Sequence, residues 1–302
     1  MTSTESKLEK DQIRDSVVNW VLSGFGEFST RDVDSDLRLF DEDEKEIRFE
    51  VLEEMVVSGD LQRVGTRRGW YRRPDKRIQY INWRVADTKE FPIRLPFKLH
   101  NQVKIFPKSI IAISGEKNTG KTAYCLNVVR LNQNRGMEVV YFSSEMLGPE
   151  FKVRLQAFED VRMEDWNFKA IHRTSDFADV IFPDAINIID FLEIYDKFWM
   201  IGKHMTDIFN ALDTGIAIVC VQKSGGSEHG RGGTFLIEKP RLTLNLSRRF
   251  NVHGELEGAT LKCTNAKFPR ESCENPNGKC IDYKTINGCK LLQDCEGWYY
   301  PI

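Results

Sequence analysis

The chain alternates short runs of apolar residues with longer segments in which apolar positions recur every three or four residues. Apolar runs of about four to eight residues are typical of buried strands, and the longer segments are typical of amphipathic helices. Strands that alternate with helices indicate an α/β domain with a mainly parallel central sheet. The predicted strands are residues 110–114, 138–142, 186–190 and 216–222, and the predicted helices are residues 121–134, 148–158 and a long segment that ends near Leu212.

The start of the chain carries a different pattern. Residues 11–22 and 41–58 each place aliphatic side chains on one helical face, and Gly59 follows the second segment as a helix stop. A shorter helix is expected between these two. Residues 61–64 and 70–72 are predicted strands around a glycine-containing turn. Three helices followed by a basic hairpin resemble a winged-helix domain.

These patterns divide the chain into two domains. The length of 302 residues and a hydrophobic content of 41% suffice for one large core and one small core. No apolar run reaches the roughly 18 residues needed to cross a bilayer, and no signal-peptide pattern is present, so we expect a cytoplasmic protein. The expected division is a winged-helix-like domain at residues 1–78, a linker at 79–100, and an α/β domain at 101–302 that ends in a β-meander.

Charge is unevenly distributed although the formal net charge is only −2. So small a net charge excludes a protein that binds polyanions over its whole surface, and any nucleic-acid surface must be local. The first part of the chain is acidic, whereas the predicted hairpin is basic. Arg67 and Arg68 are therefore candidate contacts to duplex DNA. Pairing of the hairpin arginines with the acidic helices of the same domain is the alternative.

Seven cysteines raise the question of disulfides or a structural metal. Cys125 and Cys220 fall in apolar patterns and are expected to be small core residues. The other five lie near the end of the chain without any Cys-x-x-Cys pair, which structural zinc sites usually contain. We expect these five to be reduced cysteines on the terminal meander.

One motif carries specific chemistry. Residues 115–122 match the pattern G-x-x-x-x-G-K-[ST] between a predicted strand and a predicted helix. This spacing lets backbone amides and the positive end of the helix converge on a polyphosphate. Lys121 is expected to bridge the β- and γ-phosphates, and the Thr122 hydroxyl to bind Mg²⁺. The sequence predicts an ATP and Mg²⁺ site with nucleotide contacts from Gly115, Glu116, Lys117, Asn118, Thr119, Gly120, Lys121 and Thr122.

A nucleotide-bound metal also needs a carboxylate at the end of another strand. Asp190 closes the predicted strand 186–190, whereas the competing Asp184 follows a proline outside the apolar run. Hydrolysis further requires a group that activates water. Glu145 stands just past the end of strand 138–142, on the same sheet edge as the phosphate loop. A glutamate there can also serve only to complement a helix dipole, and the residues alone leave this open.

The order of these features resembles the RecA superfamily, and especially its DnaB-like helicase branch. Residues 143–146, Ser-Ser-Glu-Met, are similar to that branch's Ser-x-Glu-Met signature. The resemblance implies that Glu145 is the catalytic base and that Gln222, at the end of a strand, senses the γ-phosphate. It also implies that the glycine-rich segment after Gln222 is a DNA-binding loop. Lys223 and Arg231 are the candidate contacts to single-stranded DNA in that loop.

The resemblance also bears on assembly. In the family a strand ending in Asn and Lys sends a basic side chain into the neighbouring subunit's nucleotide site, as an arginine finger does. Residues 261–267 are similar to that strand, which makes Lys267 the candidate, with Lys262 and Arg270 as alternatives. A finger that acts between subunits implies a homo-oligomer, either a hexameric ring or a filament.

The function predicted from these features is that of a DNA-stimulated, RecA-like ATPase, a DnaB-like motor or helicase on single-stranded DNA in replication or repair. A RecA-like strand-exchange or annealing protein is the enzymatic alternative. An ATP-gated DNA-binding regulator is the alternative that is not a motor. The winged-helix-like domain departs from the helical collar of replicative helicases, and so we expect it to recruit DNA or a protein partner.

Overall fold

The structure is a computed structural model that describes residues 3–23, 26–74, 80–192, 200–222 and 239–301. The chain divides into two compact units, Met1–Ala86 and Asp87–Ile302. The boundary lies inside the segment expected to be a linker. Within the described residues, no helix is long and apolar enough to span a bilayer.

The first unit contains three helices and a small antiparallel sheet. Its helices are α1 (Ser3–Ser23), α2 (Thr30–Leu37) and α3 (Glu42–Val57). Its strands are β1 (Glu27–Ser29), β2 (Gln62–Arg63) and β3 (Trp70–Arg72), in the order β1-β3-β2. The sequence pattern did not predict β1, because a three-residue strand is too short to show an alternation.

Apolar residues from all three helices form the core of this unit. Val17 and Val21 of α1 and Val51 and Leu52 of α3 are at most 2% exposed. Tyr71 of β3 closes the core from the sheet side. Such burial at three- and four-residue spacing is the reason that these acidic segments form helices.

A nine-stranded sheet forms the centre of the second unit within the described residues. The first five strands are β4 (Ser109–Gly115), β5 (Val139–Ser143), β6 (Lys169–His172), β7 (Ile186–Leu192) and β8 (Ile216–Gln222). The last four are β9 (Leu242–Phe250), β10 (Leu256–Ala266), β11 (Cys280–Ile286) and β12 (Lys290–Gln293). The strand order is β12-β11-β10-β9-β4-β8-β7-β5-β6.

The sheet is parallel from β6 to β9 and antiparallel from β9 to β12. This confirms the mainly parallel α/β sheet that the sequence predicts. The strand β4 lies between β8 and β9 and is buried along its whole length. The carboxyl ends of β4, β5, β7 and β8 therefore meet at one edge of the sheet, where ligands bind in open α/β folds.

Helices α4 (Lys121–Asn132), α5 (Gly148–Gln156) and α6 (Met200–Ala211) accompany the sheet. Two separate apolar clusters, one containing α4 and α5 and the other containing α6, pack against it. Phe91, Ile93, Leu95 and Leu99 are buried in the first cluster. Residues 87–100, expected in the linker, thus form part of the second unit. Alternate apolar side chains of this irregular segment fill the core, although the segment shows no regular helical or strand periodicity.

Candidate functional site at the carboxyl edge of the parallel strands

The phosphate-loop motif lies where β4 ends and α4 begins. Lys121 Nζ donates hydrogen bonds to the carbonyls of Gly115, at 3.1 Å, and Glu116, at 2.8 Å. A β-carbon at Gly115 would lie 2.9 Å from Thr119 Oγ1, so only glycine fits there. Gly120 has a φ of +92°, a conformation that glycine adopts without strain. The two glycines therefore allow the tight turn that aims backbone amides away from the sheet.

Asp190 provides a buried carboxylate beside this loop. It is 5% exposed and accepts a hydrogen bond of 2.5 Å from the Tyr141 hydroxyl. Burial raises the pKa of Asp190, while hydrogen bonds from Tyr141 and Thr122 and the charge of Lys121 oppose that shift. The carboxylate thus meets the Thr122 hydroxyl at the start of α4. These are the oxygen donors that Mg²⁺ prefers, so the residues fit a nucleotide-bound magnesium ion.

Asp184, the competing carboxylate, lies elsewhere. It is exposed, and its Oδ1 accepts hydrogen bonds from the backbone N–H and the hydroxyl of Thr214. It therefore stabilises the turn before β7 and does not face the phosphate loop.

Strand pairing brings the other two predicted residues to the same edge. Ser143, the last residue of β5, pairs with Asp190 on β7, and Gly115 pairs with Gln222 on β8. Glu145 follows two residues after β5 and is exposed. Its charge lies close enough to Lys121 to oppose the lowering of the Lys121 pKa, which is caused by burial. The loop, the carboxylate, the glutamate and the glutamine thus share one end of the sheet.

Two serine hydroxyls hold the segment that carries Glu145. Ser143 Oγ accepts a hydrogen bond of 2.7 Å from the Met146 N–H, and Ser144 Oγ accepts one of 3.3 Å from the Phe191 N–H. The Ser144 N–H also donates to the Asp190 carbonyl at 3.1 Å. Ser144, on one side of Glu145, is therefore tied to β7, and Met146, on the other side, is tied to Ser143 at the end of β5.

Two residues of the C-terminal strands hold the phosphate loop and were missed by the sequence reasoning. The guanidinium of Arg248, on β9, donates to the Lys117 carbonyl at 2.9 Å and lies 3.7 Å from the Glu116 carboxylate. The Tyr283 hydroxyl, on β11, donates to the Thr119 carbonyl at 2.6 Å. No local signal marks either residue, because both contacts depend on the order of strands in the sheet.

A pair of thiols lies directly behind the loop. Cys125 Sγ and Cys220 Sγ are 3.3 Å apart, and both side chains are fully buried. The hydrogen bond between the thiols and their burial raise the pKa of Cys125 well above its usual value. Both residues are core residues, as their apolar sequence context predicts.

The candidate finger residue lies far from the loop of its own chain. The Lys267 N–H donates to the Arg241 carbonyl, and the Arg241 N–H donates to the Ile110 carbonyl. Ile110 is five residues before the loop on β4, a distance of about 16 Å along a strand. Lys267 therefore lies at the opposite edge of the sheet, and a role at a nucleotide site would require a neighbouring subunit.

The two alternatives differ from Lys267 in position. Lys262 pairs with Asn245, which pairs with Ser114 at the end of β4, so Lys262 lies nearer the loop edge. Arg270 forms an ion pair with the Glu90 carboxylate and donates to the His100 carbonyl at 3.1 Å. Arg270 is thus engaged within its own unit.

The predicted DNA contacts lie in different surroundings. Arg67 pairs with Glu27 at 3.0 Å and stacks its guanidinium over the Trp70 ring, 4.8 Å from the ring centre. Arg68 is exposed and has no ion pair or hydrogen bond among the residues described. Lys223 and Arg231 lie outside the described residues.

Comparisons with known proteins identify the fold of this chain. No family model and no curated protein matches the sequence. Among solved structures, a KaiC-like protein from Pyrococcus horikoshii OT3 is similar, with a TM-score of 0.51 and 14% identity, over 68% of this chain and 99% of that chain. The RadB recombinase aligns with a TM-score of 0.45 and 14% identity, over 61% of this chain and 91% of that chain. The chain has a RecA-like α/β fold, as predicted.

Proposed function

We propose that this chain is an ATP hydrolase of the RecA-like kind. The observation that carries the proposal is the meeting of four groups at one edge of the sheet: the phosphate loop, Asp190, Glu145 and Gln222. Each lies at or near the carboxyl end of a parallel strand, where the fold class binds its ligands, and Asp190 is two residues before the end of β7. Strand β4 is buried along its whole length, and β7 and β8 are each buried at all but one residue.

The loop residues bind the nucleotide phosphates. Lys121 gives up its bonds to the Gly115 and Glu116 carbonyls and donates to phosphate oxygens instead. The Thr122 hydroxyl and the Asp190 carboxylate would hold Mg²⁺, which when bound would neutralise charge on the phosphates. Glu145 accepts a proton from the attacking water, and Gln222 donates a hydrogen bond toward the γ-phosphate.

Two substitutions test this assignment. Lys121→Ala removes the charge that pairs with the phosphates, and we expect turnover to be lost. Glu145→Gln keeps the shape but removes the base, and we expect ATP binding to persist while hydrolysis falls by at least about 100-fold. Glu150→Gln is the matched control, because Glu150 is exposed on α5 and pairs with Arg154. Normal hydrolysis by Glu145→Gln would exclude Glu145 as the base.

We further propose that the ATPase is a motor on single-stranded DNA of the DnaB-like kind, with Lys223 and Arg231 as contacts. The support is the sequence resemblance around Glu145 and Gln222. The ATPase rate should rise strongly with single-stranded DNA, and the protein should unwind duplex in one direction as an oligomer. Filaments with strand exchange and no unwinding would favour the recombinase alternative. An ATPase rate that does not change when DNA is added, together with binding to duplex DNA, would favour the ATP-gated DNA-binding regulator.

A finger acting between subunits can be tested by mixing two inactive variants. Lys267→Ala keeps an intact phosphate loop but lacks the proposed finger, whereas Glu145→Gln keeps the finger. If Lys267 acts on a neighbouring subunit, the mixed oligomer regains part of the activity that each variant alone has lost. No recovery, with mixed oligomers demonstrated, would direct attention to Lys262, which lies nearer the loop edge.

For the first unit we propose a winged-helix role in which Arg68 contacts duplex DNA. Arg68 is exposed at the tip of the β2–β3 hairpin without a partner among the described residues, whereas Arg63 is held by Glu53 at 2.6 Å. Loss of one phosphate contact lowers the slope of log affinity against log salt by about 1. We expect this change for Arg68→Ala and a smaller one for Arg63→Ala. Equal slopes in both variants and the unaltered protein would leave the hairpin without a role in DNA binding.

A further inference from the structure

The residues behind the phosphate loop form a compact set of metal-binding atoms. Cys125 Sγ, Cys220 Sγ and a carboxylate oxygen of Asp190 all lie within 4.8 Å of one another. Within the described part of the chain, they are the only group of three such residues that could hold an ion together. All three are buried, at 0%, 0% and 5% exposure. The C-terminal cysteines form no comparable group among the described residues.

The fold brings these residues together from three elements. Cys125 lies one helical turn after Lys121 on α4, so the two side chains share a helix face. Cys220 is two residues before the end of β8, and Asp190 lies on the neighbouring strand β7. Residues of α4, β7 and β8 belong to one apolar cluster, so the group lies in the interior of the second unit.

We propose that Cys125, Cys220 and Asp190 form a binding site for a thiophilic divalent cation, such as Zn²⁺ or Cd²⁺, whose occupancy inhibits ATP hydrolysis. Two thiolates and one carboxylate are a donor set that Zn²⁺ accepts, with a water as the fourth ligand. This ion is distinct from the nucleotide's Mg²⁺, which binds oxygen ligands and does not seek thiolates.

The spacing of the sulfurs favours a metal over a disulfide. Two sulfurs bound to one zinc ion at about 2.3 Å with tetrahedral angles lie about 3.8 Å apart. The observed separation of 3.3 Å needs to open only slightly for that geometry. A disulfide requires the sulfurs to approach to about 2.05 Å.

The charges of the site also balance on metal binding. Both thiols lose a proton to solvent, two metal–sulfur bonds and one metal–oxygen bond form, and no electron is transferred. The two thiolates, the carboxylate and the divalent ion leave a net charge of −1, and the Lys121 ammonium beside the group compensates it. Lys121 and Thr122 are only partly buried, so the ion reaches the site from the nucleotide side.

Inhibition follows from the shared carboxylate. Asp190 is the residue proposed to hold the nucleotide's Mg²⁺, and an ion bound to it and to both thiolates withdraws it from that role. Lys121, which compensates the new charge, is drawn away from the phosphates in the same step. The inhibitory consequence rests on the proposed ATPase activity, whereas the binding itself does not.

The binding test uses the full chain, reduced and kept under a phosphine reductant. Titration with Cd²⁺ is followed by the ultraviolet sulfur-to-cadmium charge-transfer band, and Zn²⁺ competition gives the affinity. Cys125→Ala suits a helix and Cys220→Val suits a strand, so both should fold, which circular dichroism checks. Cys263→Ala is the matched control, because Cys263 is equally buried but lies outside the group.

We expect the unaltered protein and Cys263→Ala to bind one tight ion, and Cys125→Ala and Cys220→Val to bind it at least about tenfold more weakly. Zn²⁺ should inhibit the Mg²⁺-ATPase of the first two proteins and lose that effect in the last two. Equal binding by all four proteins overturns the site. Binding without inhibition, in a protein that does hydrolyse ATP, overturns the inhibitory role. Disulfide formation by a thiol oxidant, without metal uptake by the reduced protein, identifies a redox pair instead and also overturns the proposal.

Discussion

The hydroxyl of Tyr283 offers a sharp test of how the C-terminal strands support the phosphate loop. It donates a hydrogen bond of 2.6 Å to the Thr119 carbonyl, and Tyr283 is fully buried. Burial raises the pKa of this phenol far above its usual value, so it stays a neutral donor at every working pH. Tyr283→Phe removes only the oxygen and leaves the ring packed against Phe97, 5.4 Å away between ring centres.

The expected cost follows from the burial of the acceptor. A carbonyl left without a donor in a dry site costs about 1–3 kcal/mol, and we take about 1.5 kcal/mol because the phenol's own desolvation is relieved at the same time. For a unit of this size, each kcal/mol of lost unfolding free energy lowers the Tm by about 2–4 °C. The variant should therefore melt about 3–6 °C below the unaltered protein. Because the lost bond holds the loop itself, nucleotide affinity should fall as well.

Differential scanning calorimetry with and without Mg²⁺-ATP measures both effects. Tyr299→Phe is the control: it removes the same hydroxyl from the C-terminal segment, but Tyr299 is exposed, and its hydroxyl donates to Asp282 at 3.0 Å. We expect the control to change the stability by no more than about 0.5 kcal/mol. If Tyr283→Phe melts and binds nucleotide like Tyr299→Phe, the C-terminal strands do not stabilise the loop.

Three further substitutions probe separate features. Gly120→Ala places a β-carbon at a residue whose φ is +92°, and 2.8 Å from a threonine hydroxyl. We expect at least about 1 kcal/mol of backbone strain, and weaker nucleotide binding when the affinity is measured by calorimetric titration. An unchanged affinity would contradict the loop geometry. Asn132→Ala removes a buried amide with hydrogen bonds to two carbonyls and one backbone N–H. Thermal unfolding should show that the free energy of unfolding falls by about 2–3 kcal/mol. A fall below about 0.5 kcal/mol would show that these hydrogen bonds do not stabilise the fold. Asp34→Ala leaves Arg48, 10% exposed, without its carboxylate and should cost about 1–3 kcal/mol in the first unit. Adding Arg48→Met should restore most of that loss, and additive losses would contradict a coupled pair.

Features that depend on a single element were predictable from its residues. The apolar run at β4, the motif that follows it and the start of α4 at Lys121 agree closely with the structure. The reason is that burial of a whole strand and the tight turn of a phosphate loop each leave a local signature. Asp190 and Gln222 were predicted at this edge because each ends an apolar run, and carboxyl ends of parallel strands share an edge. Strand β7 itself continues two residues beyond Asp190, to Leu192.

Features that depend on the order of strands could not be predicted in this way. The contact of Tyr283 with Thr119 joins residues 164 positions apart, and that of Cys125 with Cys220 joins residues 95 apart. Lys267 lies at the far edge from the loop because β10 runs antiparallel to β9, a direction that its own residues do not specify. An amphipathic pattern determines which face of an element is buried, but the packing of the whole domain decides which elements meet there. The motif for a nucleotide site can therefore be recognised in one continuous stretch of sequence. The residues that hold the loop, and the thiols behind it, come together only in the folded sheet.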